Sequence, residues 1–229
     1  MTPAYELASL DMAGTTIDER ELVYTVLERT VSTAADAPIP PELLARWKGT
    51  SKWEAVYGLL SSLGRPATVS HVDAVFARFS RDLITAYRVT PPTPMPGVLE
   101  LFASLRGQGV KVALQTGYST PIAAAIFEGL GWSAGPGDSH TVDALVTSDL
   151  VAASRPAPYL IFHTMEATGV RRVDRVLAAG DTPNDLGAAD AAGARFRVGV
   201  TSGAFTAEQL AREPHTHLLP SITGIAELL

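Results

Sequence analysis

The sequence predicts an α/β fold: a parallel sheet with helices on both faces and an all-helical insert after the first strand. Three observations carry this reading. From residue 98 onward, short apolar runs alternate with segments of helical periodicity, the pattern of strands joined by crossover helices. The stretch from Ile17 to Arg88 is helical in period and shows no strand signal. Between the two regions, Pro91-Pro92-Thr93-Pro94-Met95-Pro96-Gly97 places four prolines in seven residues, which excludes a helix interior and reads as a stiff connection.

The elements follow in order. Tyr5 to Leu10 (YELASL) predicts the first strand, which ends abruptly in the turn Asp11-Met12-Ala13-Gly14-Thr15-Thr16. In the insert, Leu22, Val23, Val26 and Leu27 recur at helical spacing, as do Val72, Val75, Phe76, Phe79 and Leu83. Lys48-Gly49-Thr50-Ser51-Lys52-Trp53 reads as a loop, with Ser51 capping the helix behind it. Beyond the prolines the predicted order is helix from Val98, strand from Val110, helix from Pro121, strand from Ala144, helix from Pro158, strand from Arg175, helix from Asp185 and strand from Arg195. No internal repeat interrupts this order.

Composition narrows the function. The chain has 229 residues, 46% of them apolar and 18% charged, so a packed core is expected rather than disorder. A net charge of −6 argues against general nucleic-acid binding, which needs a basic face. The absence of cysteine excludes disulfides, cysteine nucleophiles and thiolate metal sites. No basic, apolar leader opens the chain and no uncharged run is long enough for a membrane span, so a soluble, cytoplasmic protein is expected. The five histidines are scattered without metal-ligand spacing, and Gly49-Thr50-Ser51-Lys52 lacks the rest of a P-loop.

The chemistry gathers where predicted strands end. In an open parallel sheet the carboxyl ends share one edge, and ligands bind there. That edge collects Asp11, Asp181 and Asp185, the last two from Gly180-Asp181-Thr182-Pro183-Asn184-Asp185. Crowded carboxylates repel unless a cation sits among them, and an all-oxygen set without imidazole favours Mg²⁺. Thr116, Gly117 and the turn after Asp11 offer hydroxyl and N–H donors for an anionic group, and Arg155 adds positive charge ahead of a helix. Each feature alone is an ordinary turn or cap; the ordered set is specific.

That set, Asp11-x-Ala13-Gly14-Thr15, Thr116-Gly117-Tyr118, Arg155 within Ser154-Arg155-Pro156-Ala157-Pro158, and Gly180-Asp181-x-x-x-Asp185, resembles the haloacid dehalogenase superfamily, and within it the phosphonatase branch. The resemblance covers nearly the whole chain. It implies a Rossmann-like core, residues 1–16 and 93–229, with a small helical cap at 17–92 that opens and closes on its two connections. It implies that Asp11 is the nucleophile, forming an aspartyl-phosphate. It places Mg²⁺ on Asp11, the Ala13 carbonyl and Asp181, with Asp185 completing the metal set nearby or through water. The transferring group would be held by Met12, Thr116, Gly117 and Arg155.

Ala13 stands where most family phosphatases carry an acid/base aspartate. General acid help is typically worth about 10²–10⁴-fold, so a simple phosphate ester would be a poor substrate. Phosphonatases tolerate the change because their leaving group is carbon, stabilised by a lysine imine. The chain has three lysines, and Gly49-Thr50-Ser51-Lys52 matches the family segment at Lys52. An imine needs a neutral amine, and Lys48 is expected to lower the pKa of Lys52 by like-charge repulsion. Two positions depart from the family pattern: Lys48 replaces a methionine and Ala55 a histidine. The reading is therefore a Mg²⁺-dependent hydrolase of a small phosphonate. A phosphomonoesterase of the same superfamily and a non-catalytic phospho-ligand binder stand as alternatives. Trp47 and Trp53 are candidates for pocket walls or for cap packing, and an apolar helix face from Val72 to Leu83 is a candidate homodimer surface.

Overall fold

The computed structural model describes residues 3–229. Its main sheet has six strands, all parallel: β1 (Leu7–Leu10), β4 (Lys111–Thr116), β5 (Ala144–Thr147), β6 (Val176–Gly180), β7 (Phe196–Val200) and β8 (His217–Leu219), in the order β5-β4-β1-β6-β7-β8. β1 lies between β4 and β6, with Leu10 level with Leu114 on one side and Ala179 on the other. The two-residue period of a strand sorts the core into two layers. Ala8, Leu10, Leu114 and Leu177 join the larger cluster on one face, and Leu7, Ala113, Val176 and Ala178 the smaller on the other. On the smaller face lie α7 (Tyr159–Thr168) and α8 (Pro183–Ala192), packed against each other and on the sheet. The opposite face is covered by α5 (Val98–Gly107) and α6 (Thr120–Leu130).

Between β1 and α5 runs a helical insert: α1 (Leu22–Ala35), α2 (Pro41–Ala45), α3 (Lys52–Ser62) and α4 (Val69–Val89). Its two connections are paired. β2 (Ile17–Asp18) lies antiparallel to β3 (Thr93–Pro94), and the Met95 N–H donates to the Thr16 carbonyl at 3.0 Å. The proline-rich segment is thus half of a two-stranded ribbon rather than a plain spacer.

One expectation is revised, one pair of alternatives is resolved, and two elements are added. The apolar stripe Val72, Val75, Phe79 and Leu83 is buried inside the protomer, where α4 packs on α1, α3 and α6, so it offers no free dimer surface. Trp47 lies on Gly58, where an added Cβ would come within 1.7 Å of the ring, and Trp53 donates to Asp73 and stacks on Tyr57; both serve packing of the insert. After β7 the chain adds α9 (Ala207–Leu210) and the edge strand β8, three residues too short to carry a period. Among the described residues no helix is long and apolar enough to cross a membrane.

Candidate active site

The sheet delivers four side chains to one edge. The Asp11 N–H continues the β1–β6 ladder to the Ala179 carbonyl at 2.9 Å, which seats Asp11 beside the end of β6. Asp181 follows β6 directly, and Thr116 closes β4. Asp185 is the third residue of α8. Thr182 caps that helix by accepting from the Asp185 N–H at 3.2 Å, while Asp185 Oδ2 accepts from the Thr182 N–H at 3.1 Å. The site carboxylate Asp185 therefore also completes the capping box of α8.

Asp11, Asp181 and Asp185 are all buried, and one oxygen from each lies within 4.8 Å of the others. Arg155, also buried, donates through Nη2 to Asp11 Oδ1 at 2.8 Å and through Nη1 to Asp185 Oδ1. Asp181 accepts from the Ala204 N–H at 2.8 Å. Gly14 and Gly203 press against it, where an added Cβ would stand 2.6 Å and 2.1 Å from Oδ2. Only glycine at both positions lets backbone approach that closely.

Burial pushes the Asp11 carboxyl up to about 6, against the pull of Arg155. Burial raises Asp181 well above the usual carboxylate range, and repulsion from Asp11 and Asp185 adds to it. The single guanidinium leaves the triad short of positive charge. An all-oxygen, buried, under-neutralised set is what a hard divalent cation requires, so the residues present fit Mg²⁺. Ala13 lines the same pocket with Asp11 and Asp181 and contributes no titratable group there.

The insert supplies Lys52. Ser51 caps α3 by accepting from the Glu54 N–H at 3.1 Å, and Lys52 opens the helix. Its side chain turns inward: the residue is 4% exposed. Nζ donates to the Thr50 carbonyl at 3.0 Å and lies 5.2 Å from the Tyr24 ring centre and 5.9 Å from that of Tyr118. Burial, then the nearby Arg155 charge, lowers the Lys52 amine to about 8. Lys48 is not the cause. Its Nζ is paired with Glu21 at 2.6 Å and sits over the Tyr24 ring at 4.7 Å, so its charge is spent locally.

The loop carrying Lys52 is seated on the sheet edge. The Lys52 N–H donates to the Gly117 carbonyl at 3.3 Å, Asn184 Nδ2 to the Lys48 carbonyl at 2.7 Å, and the Ser154 N–H to Glu54 Oε1 at 3.3 Å. A Cβ on Gly117 would lie 2.3 Å from the Thr50 carbonyl oxygen. Seated in this way, the insert leaves a cavity of about 20 Å³ among Asp11, Lys52, Tyr24, Tyr118 and Arg155.

A family model described as haloacid dehalogenase-like hydrolase matches residues 5–193. The chain belongs to that family. Two curated relatives of this haloacid dehalogenase-like hydrolase are named phosphonoacetaldehyde hydrolase. The Parabacteroides distasonis protein is 36% identical over 115 residues, which is 50% of this chain and 41% of that one. The Aeromonas hydrophila protein is 30% identical over 192 residues, 79% of this chain and 67% of that one. The chain thus spans between two fifths and two thirds of these relatives' lengths. Among solved structures, a phosphonoacetaldehyde hydrolase-like protein from Oleispira antarctica superposes with TM-score 0.80 at 19% identity, covering 99% of this chain and 92% of that one. A predicted phosphoglycolate phosphatase from Haemophilus somnus superposes with TM-score 0.74 at 17% identity, covering 100% and 99%. These two likenesses establish the fold.

The structure of this haloacid dehalogenase-like hydrolase brings Asp11, Ala13, Lys52, Thr116, Gly117, Arg155, Asp181 together around one pocket, with Asp185 behind Arg155. Met12 is different. Its side chain is core, and only its backbone N–H reaches the Asp11 carboxylate. Ala55 is buried within the insert. Sequence reasoning missed Glu19, Tyr24, Tyr87 and Asn184. Glu19 lies in the charged run Asp18-Glu19-Arg20-Glu21, which reads as solvated surface. Tyr24 and Tyr87 fall in phase with helical cores, so nothing in the pattern marks their hydroxyls.

Proposed function

We propose that this haloacid dehalogenase-like hydrolase cleaves the C–P bond of a small carbonyl-bearing phosphonate. The observation that carries the reading is Lys52. A buried amine, lowered to about 8, shares a pocket with the Asp11–Arg155 pair, while Ala13 puts no carboxylic acid at its position in that pocket. An alkoxide leaving group needs protonation; a carbanion stabilised by an imine does not.

In this reading Arg155, the Met12 N–H and Thr116 hold the phosphonate oxygens. The neutral Lys52 amine attacks the carbonyl carbon, takes up one proton and releases water, leaving a protonated imine. Asp11 attacks phosphorus in line, and the electron pair of the broken C–P bond flows into the imine to give an enamine. Protonation at carbon and hydrolysis free Lys52 and an aldehyde or ketone; water then cleaves the aspartyl-phosphate. Mg²⁺ would be held by Asp11, Asp181 and the Ala13 backbone, and would supply charge screening between Asp11 and the anionic substrate. Asp185, occupied by Arg155 and the α8 cap, braces Arg155.

A cavity of about 20 Å³ holds roughly one water. Substrate entry therefore requires the insert, residues 17–92, to swing away as a cap on the β2–β3 hinge. The test is borohydride reduction in the presence of phosphonoacetaldehyde and Mg²⁺, followed by peptide mass analysis. The expected result is a reduced adduct on Lys52, with phosphate released in untreated samples. No adduct, with phosphate released from small phosphate esters, would replace this reading by a phosphomonoesterase.

A further inference from the structure

Glu19 is a buried carboxylate that the chemistry above leaves unused. It is 7% exposed, in the first hinge connection just after β2. Its Oε2 accepts from the Val23 N–H at 2.8 Å and from the Tyr87 hydroxyl at 3.2 Å. Because Tyr87 gives its proton to Glu19, the 2.8 Å contact between the Tyr87 and Tyr118 hydroxyls runs with Tyr118 as donor. One directed chain thus links the hinge, the last turn of α4 and the loop after β4. It ends at the ring that, with Tyr24, encloses Lys52 Nζ. The two rings Tyr87 and Tyr118 meet edge to face at 88°, so the phenols have little freedom to turn.

A carboxylate taken out of water is costly unless donors or a cation compensate it. Two neutral donors on one oxygen compensate Glu19 in part. Lys52 adds to them: its charge draws the Glu19 carboxyl down and Glu19 in turn holds the ammonium up, although burial still leaves the carboxyl above its ordinary value. Asp11 and Asp185 also act on the Lys52 charge, but Arg155 is paired with both and itself opposes that charge. Glu19 comes from a different segment, just after β2, and has no contact with Arg155.

We propose that Glu19 is the counter-charge and positioning residue for the cation on Lys52 Nζ, aligning the Tyr87–Tyr118 chain that walls the amine and favouring positive charge on that nitrogen. The catalytic half of this inference rests on the imine reading of Lys52. There the nitrogen becomes cationic when the imine forms with loss of water, and is neutralised by the electron pair of the C–P bond. The electrostatic half stands without it.

The test is a double-mutant cycle in thermal unfolding with E19Q, K52M and the double variant. Glutamine keeps an acceptor for Val23 and Tyr87, so the fold survives. E19Q is expected to lower the melting temperature in the wild-type background and to raise it, or leave it unchanged, in the K52M background. An equal shift in both backgrounds would overturn the proposal. The second readout is the rate of borohydride-fixed adduct formation with phosphonoacetaldehyde. Measured above pH 8, where the resting amine is neutral and only the imine carries the charge, E19Q is expected to slow it about 10-fold without moving the half-saturating concentration. An unchanged rate would overturn the catalytic half. If the wild type forms no adduct, the imine reading itself fails and the melting cycle alone decides on Glu19.

Discussion

The side chain of Asn184 donates to the main-chain carbonyl of Lys48 at 2.7 Å, tying the loop that carries Lys52 to the turn that carries Asp181 and Asp185. Asn184 lies between the two carboxylates in sequence, so one turn presents the acidic cluster and also clamps the insert. The clamp is local and polar, which suits the cap opening proposed above.

Asn184→Ala is expected to loosen this seat without unfolding the protein. A hydrogen bond of this kind contributes about 0.5–1.5 kcal/mol, so kcat/KM should fall by roughly 2- to 12-fold. Hydrogen exchange at Gly49 to Lys52 should speed up, and the sheet strands should keep their protection.

Gly117→Ala is expected to be far more severe. The added Cβ would meet the Thr50 carbonyl at 2.3 Å, and backbone cannot yield there without shifting the Lys52 loop. Activity should drop by about 10²-fold, as for misplacement of a reacting group by about 1 Å. The melting temperature, measured alongside, should fall much less, because the clash lies at the seat and not in the core.

Mg²⁺ is expected to raise the melting temperature at pH 7. A ligand at about 100 times its Kd adds about 2.7 kcal/mol, which for a chain of this size is roughly 5–11 °C. Asp181→Asn should abolish the shift and leave the apo protein no less stable, because it removes a like-charge repulsion. A Mg²⁺ shift of full size in that variant would remove Asp181 from the metal site.

The amine of Lys52 sets a pH dependence. Its folded value of about 8 lies below the ordinary lysine value of 10.5. Between these two the unfolded chain binds the extra proton, so stability from this group rises with pH from about 8 to 10.5. Below 8 both states are protonated and burial of the ammonium is a constant penalty. Phosphonate cleavage should accordingly rise through a limb near pH 8. Lys52→Arg, which stays charged, should lose that limb and at least ~10³-fold in rate, while any phosphate-ester activity persists.

Much of the site was legible because strand ends are legible. Asp11, Thr116 and Asp181 follow apolar runs short enough to be strands, and a parallel sheet sends all such ends to one edge. Arg155 was legible only as a charge before a helix; that it bridges Asp11 and Asp185 depends on how α7 and α8 pack together. Lys52 was legible as a scarce residue in the right segment, but the cause of its lowered pKa was misread. Sequence proximity pointed to Lys48, whereas the fold pairs Lys48 with Glu21 and lets burial and Arg155 act instead.

By itself the sequence determined the α/β order, the helical insert with its two connections, the carboxylate set and the missing acid at Ala13. These are local properties: hydrophobic period, proline and glycine placement, and residue identity at predicted strand ends. Only the tertiary structure decided that the apolar stripe of α4 is internal, that Glu19 is buried, and that Tyr24 and Tyr118 close around Lys52. Glu19, Tyr87 and Tyr118 are separated by scores of residues, and their hydroxyl and carboxylate contacts arise where the hinge, α4 and the loop after β4 converge. A periodic pattern records which face of an element is buried, but not which polar atoms meet when two buried faces come together.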